Sequence, residues 1–107
     1  MLTEKDYCDK DTSFALQELG YNPYMFYADG TPAIYLLHAQ KWLRNTHNLH
    51  ISTKPYPCED GLMWMYEIRQ FTPYLVCVIK NKTGFREAEE ALLGGIKEAV
   101  KLLKEEK

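Results

Sequence analysis

The chain has 107 residues, of which 46% are hydrophobic, 26% charged and 13% aromatic, with a formal net charge of −2. That length suits one domain around one hydrophobic core, and the composition excludes a disordered or fibrous protein. No apolar run approaches the roughly 20 residues of a membrane helix; the longest, Ala33 to Leu37 and Tyr74 to Ile79, suit core elements.

In chain order, the first expected element is a short helix from about Thr12 to Leu19. Asp11 or Thr12 can accept hydrogen bonds from its first free amides, Ala15, Leu16 and Leu19 make a narrow apolar side, and Gly20 can take the left-handed conformation that ends it. Tyr21-Asn22-Pro23 prevents continuation. Next, Asp29-Gly30 lies between Tyr24-Met25-Phe26-Tyr27 and Ala33-Ile34-Tyr35, a hairpin signal, while Thr31-Pro32 also reads as the cap and first turn of a helix. The favoured reading is a strand or hairpin over 24–34 and then a helix ending near Thr46. In that helix Leu36, Ala39 and Leu43 recur at helical spacing, flanked by Tyr35 and Trp42.

Three strands follow. Leu49 to Thr53 alternates apolar and polar. Leu62 to Arg69 places Leu62, Trp64, Tyr66 and Ile68 on one face and Met63, Met65, Glu67 and Arg69 on the other. Tyr74 to Lys80 is apolar on both faces, which predicts a central or doubly covered strand with Cys77 as a small buried hydrophobe. Residues 54–61 read as a loop and Gln70 to Pro73 as a turn, which suits an antiparallel meander. The last element is a helix from about Phe85 to Lys104 with the stripe Ala88, Ala91, Leu92, Ile96, Ala99, Val100 and Leu103. Its acidic start and basic end match the helix dipole. Gly94-Gly95 in mid-helix costs about 1 kcal/mol per glycine against alanine and therefore predicts close backbone packing, against Trp64 or another helix. The fold class is α+β. A single domain spans 1–107, with a small antiparallel sheet of three strands, plus the N-terminal strand or hairpin, packed with two to three helices.

The order helix, three strands, helix over residues 35–104 resembles the double-stranded-RNA-binding domain in topology. That family opens its second helix with lysines facing phosphates, whereas this chain reads Phe85-Arg86-Glu87-Ala88-Glu89-Glu90, whose carboxylates repel an RNA backbone. Three stretches are similar to a group of short, uncharacterised proteins of gut-bacterial genomes and their phages and mobile elements. They are Ala15 to Tyr21, Ala39 to Arg44 followed by His47 and Leu49-His50-Ile51, and Glu89-Glu90-Ala91 with Gly95 to Ala99. The resemblance spans most of the chain, with residues 22–34 and 54–61 shorter here, and it implies no activity.

Charge and cysteine usage narrow the function. Residues 31–58 carry Lys41, Arg44 and Lys54 with no carboxylate, and all three histidines. Three cations in that window make a thin phosphate track, so nucleic-acid binding through Lys41, Arg44 and Lys54 is the second reading. Cys8, Cys58 and Cys77 are odd in number and lack CxxC spacing; with no basic or apolar leader at Met1 to Asp6, the expectation is a reducing cytoplasm rather than secretion. His38, His47 and His50 with Cys8 or Cys58 are the candidate zinc ligands, but His47 and His50 straddle a helix end and a strand start, so no metal and no cofactor are expected. A nucleophilic cysteine needs a base and an orienting group, and Cys58 precedes Glu59-Asp60, which raise a thiol's pKa. Glycine-rich phosphate loops and Gly-x-Ser-x-Gly are absent, and the chain is read as non-catalytic.

One surface remains. A sheet packed by helices on one face leaves Met63 and Met65, with Tyr74, Val76 and Val78 beside them, on the other, unless the Thr12–Leu19 helix or the 24–34 segment covers them. An apolar patch there marks a contact surface. The expected function is a protein–protein interaction module, homodimeric or with another protein. The alternatives are nucleic-acid binding and a small-molecule or metal-binding regulator.

Overall fold

The computed structural model describes residues 6–105; residues 1–5, which carry most of the leader argument, lie outside them. The element order is α1 (Lys10–Glu18), α2 (Leu36–His47), β1 (His50–Cys58), β2 (Gly61–Phe71), β3 (Val76–Phe85) and α3 (Ala88–Glu105). The fold is α+β, with a three-stranded antiparallel sheet in the order β1-β2-β3.

α1 starts two residues earlier than the sequence suggests because Asp9, rather than Asp11 or Thr12, is its cap: the Asp9 carboxylate accepts the Thr12 amide at 2.9 Å. Its end is a Schellman motif. The Gly20 amide donates to Gln17 and the Tyr21 amide to Leu16, with Gly20 at φ +111. Residues 24–34 form the hairpin rather than a helix start. Phe26 bridges Pro32, the Ala33 amide donates to Met25 O, and Asp29 holds the turn by accepting the Thr31 amide at 2.9 Å. This hairpin stays outside the sheet.

The sequence reading of 54–61 as a loop is corrected: β1 runs on to Cys58, and only Glu59-Asp60 turns before Gly61 at φ +109. The physical reason lies in strand parity. Ile51 points its carbonyl outward, where Gln40 Nε2 donates to it at 2.6 Å. Pro55 and Pro57 share that parity, so their nitrogens also face away from β2 and no ladder bond is lost. A second correction concerns the apolar run at 74–80. β2 is the central strand, and β3 is an exposed edge, with Val76 57% and Val78 51% accessible. Cys77, expected to be buried, is exposed, and the buried thiol is Cys8. An apolar run reports only that both faces of a strand are apolar; its place in a meander follows from turn lengths and register.

α3 lies across all three strands, α2 packs on α3 and β1, and α1 packs on α3. The core between them contains Leu16, Ile34, Leu43, Ile51, Tyr66, Ile68, Ile96 and Ala99. Close packing at the glycine pair is against the sheet rather than Trp64. A Cβ on Gly95 would stand 2.6 Å from Ile51 Cγ2, and one on Gly94 would stand 2.9 Å from the Phe85 ring. The shortest molecular dimension, 23 Å, leaves room for one helical layer on one sheet.

Candidate functional site

The sheet face away from α3 is built by alternate residues of all three strands. Register sets Tyr56 opposite Met63, Lys54 opposite Met65 and Ser52 opposite Glu67, and continues with Glu67 opposite Asn81, Arg69 opposite Val78 and Phe71 opposite Val76. The two coverings open to the sequence reading are not used, since α1 sits on α3 and the 24–34 hairpin sits beside α2, where Tyr24 Oη lies 3.2 Å from His38 Nδ1.

Within this face two halves differ. Towards the β1–β2 turn, the Tyr56 hydroxyl accepts the Gly84 amide at 2.9 Å. Since β1 and β3 are not neighbours, the Tyr56 side chain must cross β2 to reach Gly84, and it crosses on the side of Met63 and Met65, which are half-buried. Glu67 and Arg69 pair with each other next along the strand. Towards the β2–β3 turn nothing among the described residues lies over the surface. Phe71 is 42% exposed, Leu75 64% and Tyr74 93%. The turn that carries them is rigid in its bonding: Thr72 donates its amide to Leu75 O at 2.9 Å, and its hydroxyl accepts the Leu75 amide at 2.9 Å.

The structure therefore brings the expected residues Tyr74, Val76 and Val78 together at an exposed hairpin, and places Met63 and Met65 on the same face but partly beneath Tyr56. Sequence reasoning missed Phe71 and Leu75. Phe71 was assigned to the turn, although extending the alternation from Glu67 through Arg69 would have put it on this face.

The remaining candidates separate. Lys41 and Arg44 are exposed on α2, and Lys54 stands on β1. Arg44 shares a cleft of about 190 Å3 with Gln40, His50, Arg69 and Phe71, of which Lys54 is not part. His50 bonds Asn48 Oδ1 at 2.9 Å and stacks edge-on to Phe71; burial, and after it the Arg44 guanidinium, hold its imidazole below the usual value. His47 stands edge-on to Trp42. No group of three or more His, Cys, Asp or Glu among the described residues could hold a metal ion. Burial, with Asp9 next to it, pushes the Cys8 thiol up to about 12, the opposite of nucleophile activation. A cleft of about 500 Å3 is lined by Tyr7, Tyr27, Asp29, Glu89 and Glu90, but Asp29 is already committed to the hairpin turn and Asp9, at the same cleft, to Lys97 at 2.6 Å. No helix among the described residues is long and apolar enough to cross a membrane.

No protein-family model, curated protein or solved structure matches this chain.

Proposed function

We propose that this chain is a non-catalytic protein-interaction module of a reducing compartment, the cytoplasm, and that its contact surface is the exposed end of the β2–β3 hairpin with the sheet face around it. The observation that carries this reading is the contiguous apolar group Phe71, Tyr74, Leu75, Val76 and Val78, left uncovered while all three helices pack on the other side. Such a group in a small domain costs solubility without adding to its own core, and contact surfaces are its usual use. Exposed Cys58 and Cys77 fit a compartment that keeps thiols reduced.

The test is a Val76→Lys/Val78→Lys chain. It is expected to keep its thermal transition and lose association, read by sedimentation velocity for self-association and by quantitative capture for another protein. Association unchanged in a well-folded variant overturns the surface.

A further inference from the structure

We propose that the partner is a second copy of this chain, and that two β3 strands pair antiparallel about a two-fold axis at Cys77, joining two three-stranded sheets into one of six strands. The proposal rests on the interaction reading above and names its occupant.

The two edges of the sheet are built differently. β1 is closed: Gln40 of α2 donates to the Ile51 carbonyl, and Pro55 and Pro57 deny donors to any strand that would add there. These are the usual ways an edge is protected. β3 has such protection only in its second half, where the ladder to β2 slips between Ile68 and Arg69 and Lys80 and Lys82 follow. From Leu75 to Ile79 it carries neither proline nor charge, and no strand lies beyond it among the described residues.

The open segment is self-complementary. Leu75-Val76-Cys77-Val78-Ile79 is apolar read in either direction, with Cys77 at its centre. Antiparallel pairing about Cys77 sets Val76 against the partner's Val78 and Leu75 against the partner's Ile79, so each aliphatic side chain meets another, as a two-fold contact requires. Shifting the axis by one residue to Val78 would set Val76 against the partner's Lys80 and lose that match. On the bare face, Val76, Val78 and Phe71 of both copies then form one apolar strip. The strip stays open to solvent, so the contact itself is carried by the ladder and by the flanks of Val76 against Val78 and of Leu75 against Ile79. A net charge of −2 leaves little long-range repulsion between copies.

The test combines sedimentation velocity with disulfide trapping in a Cys58→Ser background, where Cys77 is the exposed thiol and Cys8 is buried. Opposed residues in an antiparallel ladder lie 4.5–5.5 Å apart at Cα, within disulfide reach. The expected result is a dimer whose Cys77 thiols cross-link under mild oxidation. With Cys77→Ser added, a Val76→Cys chain is expected to cross-link to a Val78→Cys chain and not to itself, because two copies of position 76 sit two residues out of register, roughly 7 Å apart along the strands. A dimer that does not trap in this pattern overturns the β3 pairing while the interaction reading stands. A monomer at high micromolar concentration overturns the second copy; the interaction reading then falls only if Val76→Lys/Val78→Lys also leaves capture of another protein unchanged.

Discussion

Gly95 and Gly94 are neighbours in α3 with different constraints. At Gly95 an added Cβ meets Ile51 at 2.6 Å and the Tyr66 ring at 3.3 Å, both in the core; at Gly94 it meets the outer atoms of the half-buried Phe85 ring. Alanine gains about 1 kcal/mol of helix propensity at either position. Overpacking costs about 1–3 kcal/mol where neighbours cannot move. Gly95→Ala is therefore expected to lower stability by up to about 2 kcal/mol, and Gly94→Ala to leave it near wild type or above because Phe85 can swing aside. Urea unfolding of both variants measures the difference, and equal losses would contradict it. Cys8 gives a pH signature at the same scale. Its thiol is raised from 9.0 to about 12 in the folded chain, so folding favours the protonated form. That stability is fully present below pH 9 and is lost as pH rises towards 12. The stability difference between wild type and Cys8→Ala is expected to shrink over that window, followed by chemical unfolding at fixed pH values. Below it, a thiol reagent should modify two cysteines in the native protein and the third only on unfolding.

At the scale of elements, the ends of the helices decide how the sheet is held. Asn48 takes the left-handed conformation at φ 56 to end α2, and its side chain then works on the far strand: Nδ2 donates to Phe71 O at 2.7 Å while Oδ1 faces His50. Asn48 thereby extends the β1–β2 ladder one step past His50. Replacing it by glycine keeps the backbone conformation and loses the bridge, whereas alanine loses both, the second at about 1 kcal/mol. Asn48→Ala is expected to be less stable than Asn48→Gly by that amount in thermal unfolding. Asp9 plays the matching part at α1. Partial burial would raise its carboxyl, but hydrogen bonds from Lys97 and from Thr12 hold it below the usual carboxylate value. The stability this contributes is present above pH 3.8 and fades as pH falls through the lowered folded value. An Asp9→Ala chain is expected to lose about 1 kcal/mol at neutral pH, and less in acid, where the wild type also loses its cap charge.

At the scale of the molecule, one helical layer on one sheet leaves an unequal second face. Tyr56 shields the Met63 and Met65 half, and the β2–β3 hairpin stands bare. Met63→Glu is expected to cost about 1–3 kcal/mol, since it puts a carboxylate at a half-buried position opposite Tyr56. Val78→Glu, on the exposed edge, should change stability by no more than about 0.5 kcal/mol. Paired melting curves at a concentration where the chain is monomeric separate the two, and a Val78→Glu destabilised there would mean that β3 is covered within its own chain.

Much of this architecture was legible in the residues. The α3 stripe, the alternation of β2, the Gly20 stop and the hairpin signal at Asp29-Gly30 are local patterns, set by the period of each element and by which residues tolerate a left-handed turn. The same patterns marked Tyr74, Val76 and Val78 as an apolar surface, but not whether another segment covers it. Whether a strand is central or at an edge, whether Pro55 and Pro57 break β1 or face away from its ladder, and whether Tyr56 reaches across to Gly84 depend on register between segments far apart in sequence. Sequence by itself determined which side chains are apolar and at what spacing. The tertiary structure alone decided which of them its helices could cover, because one layer of helices can bury only one face of a sheet.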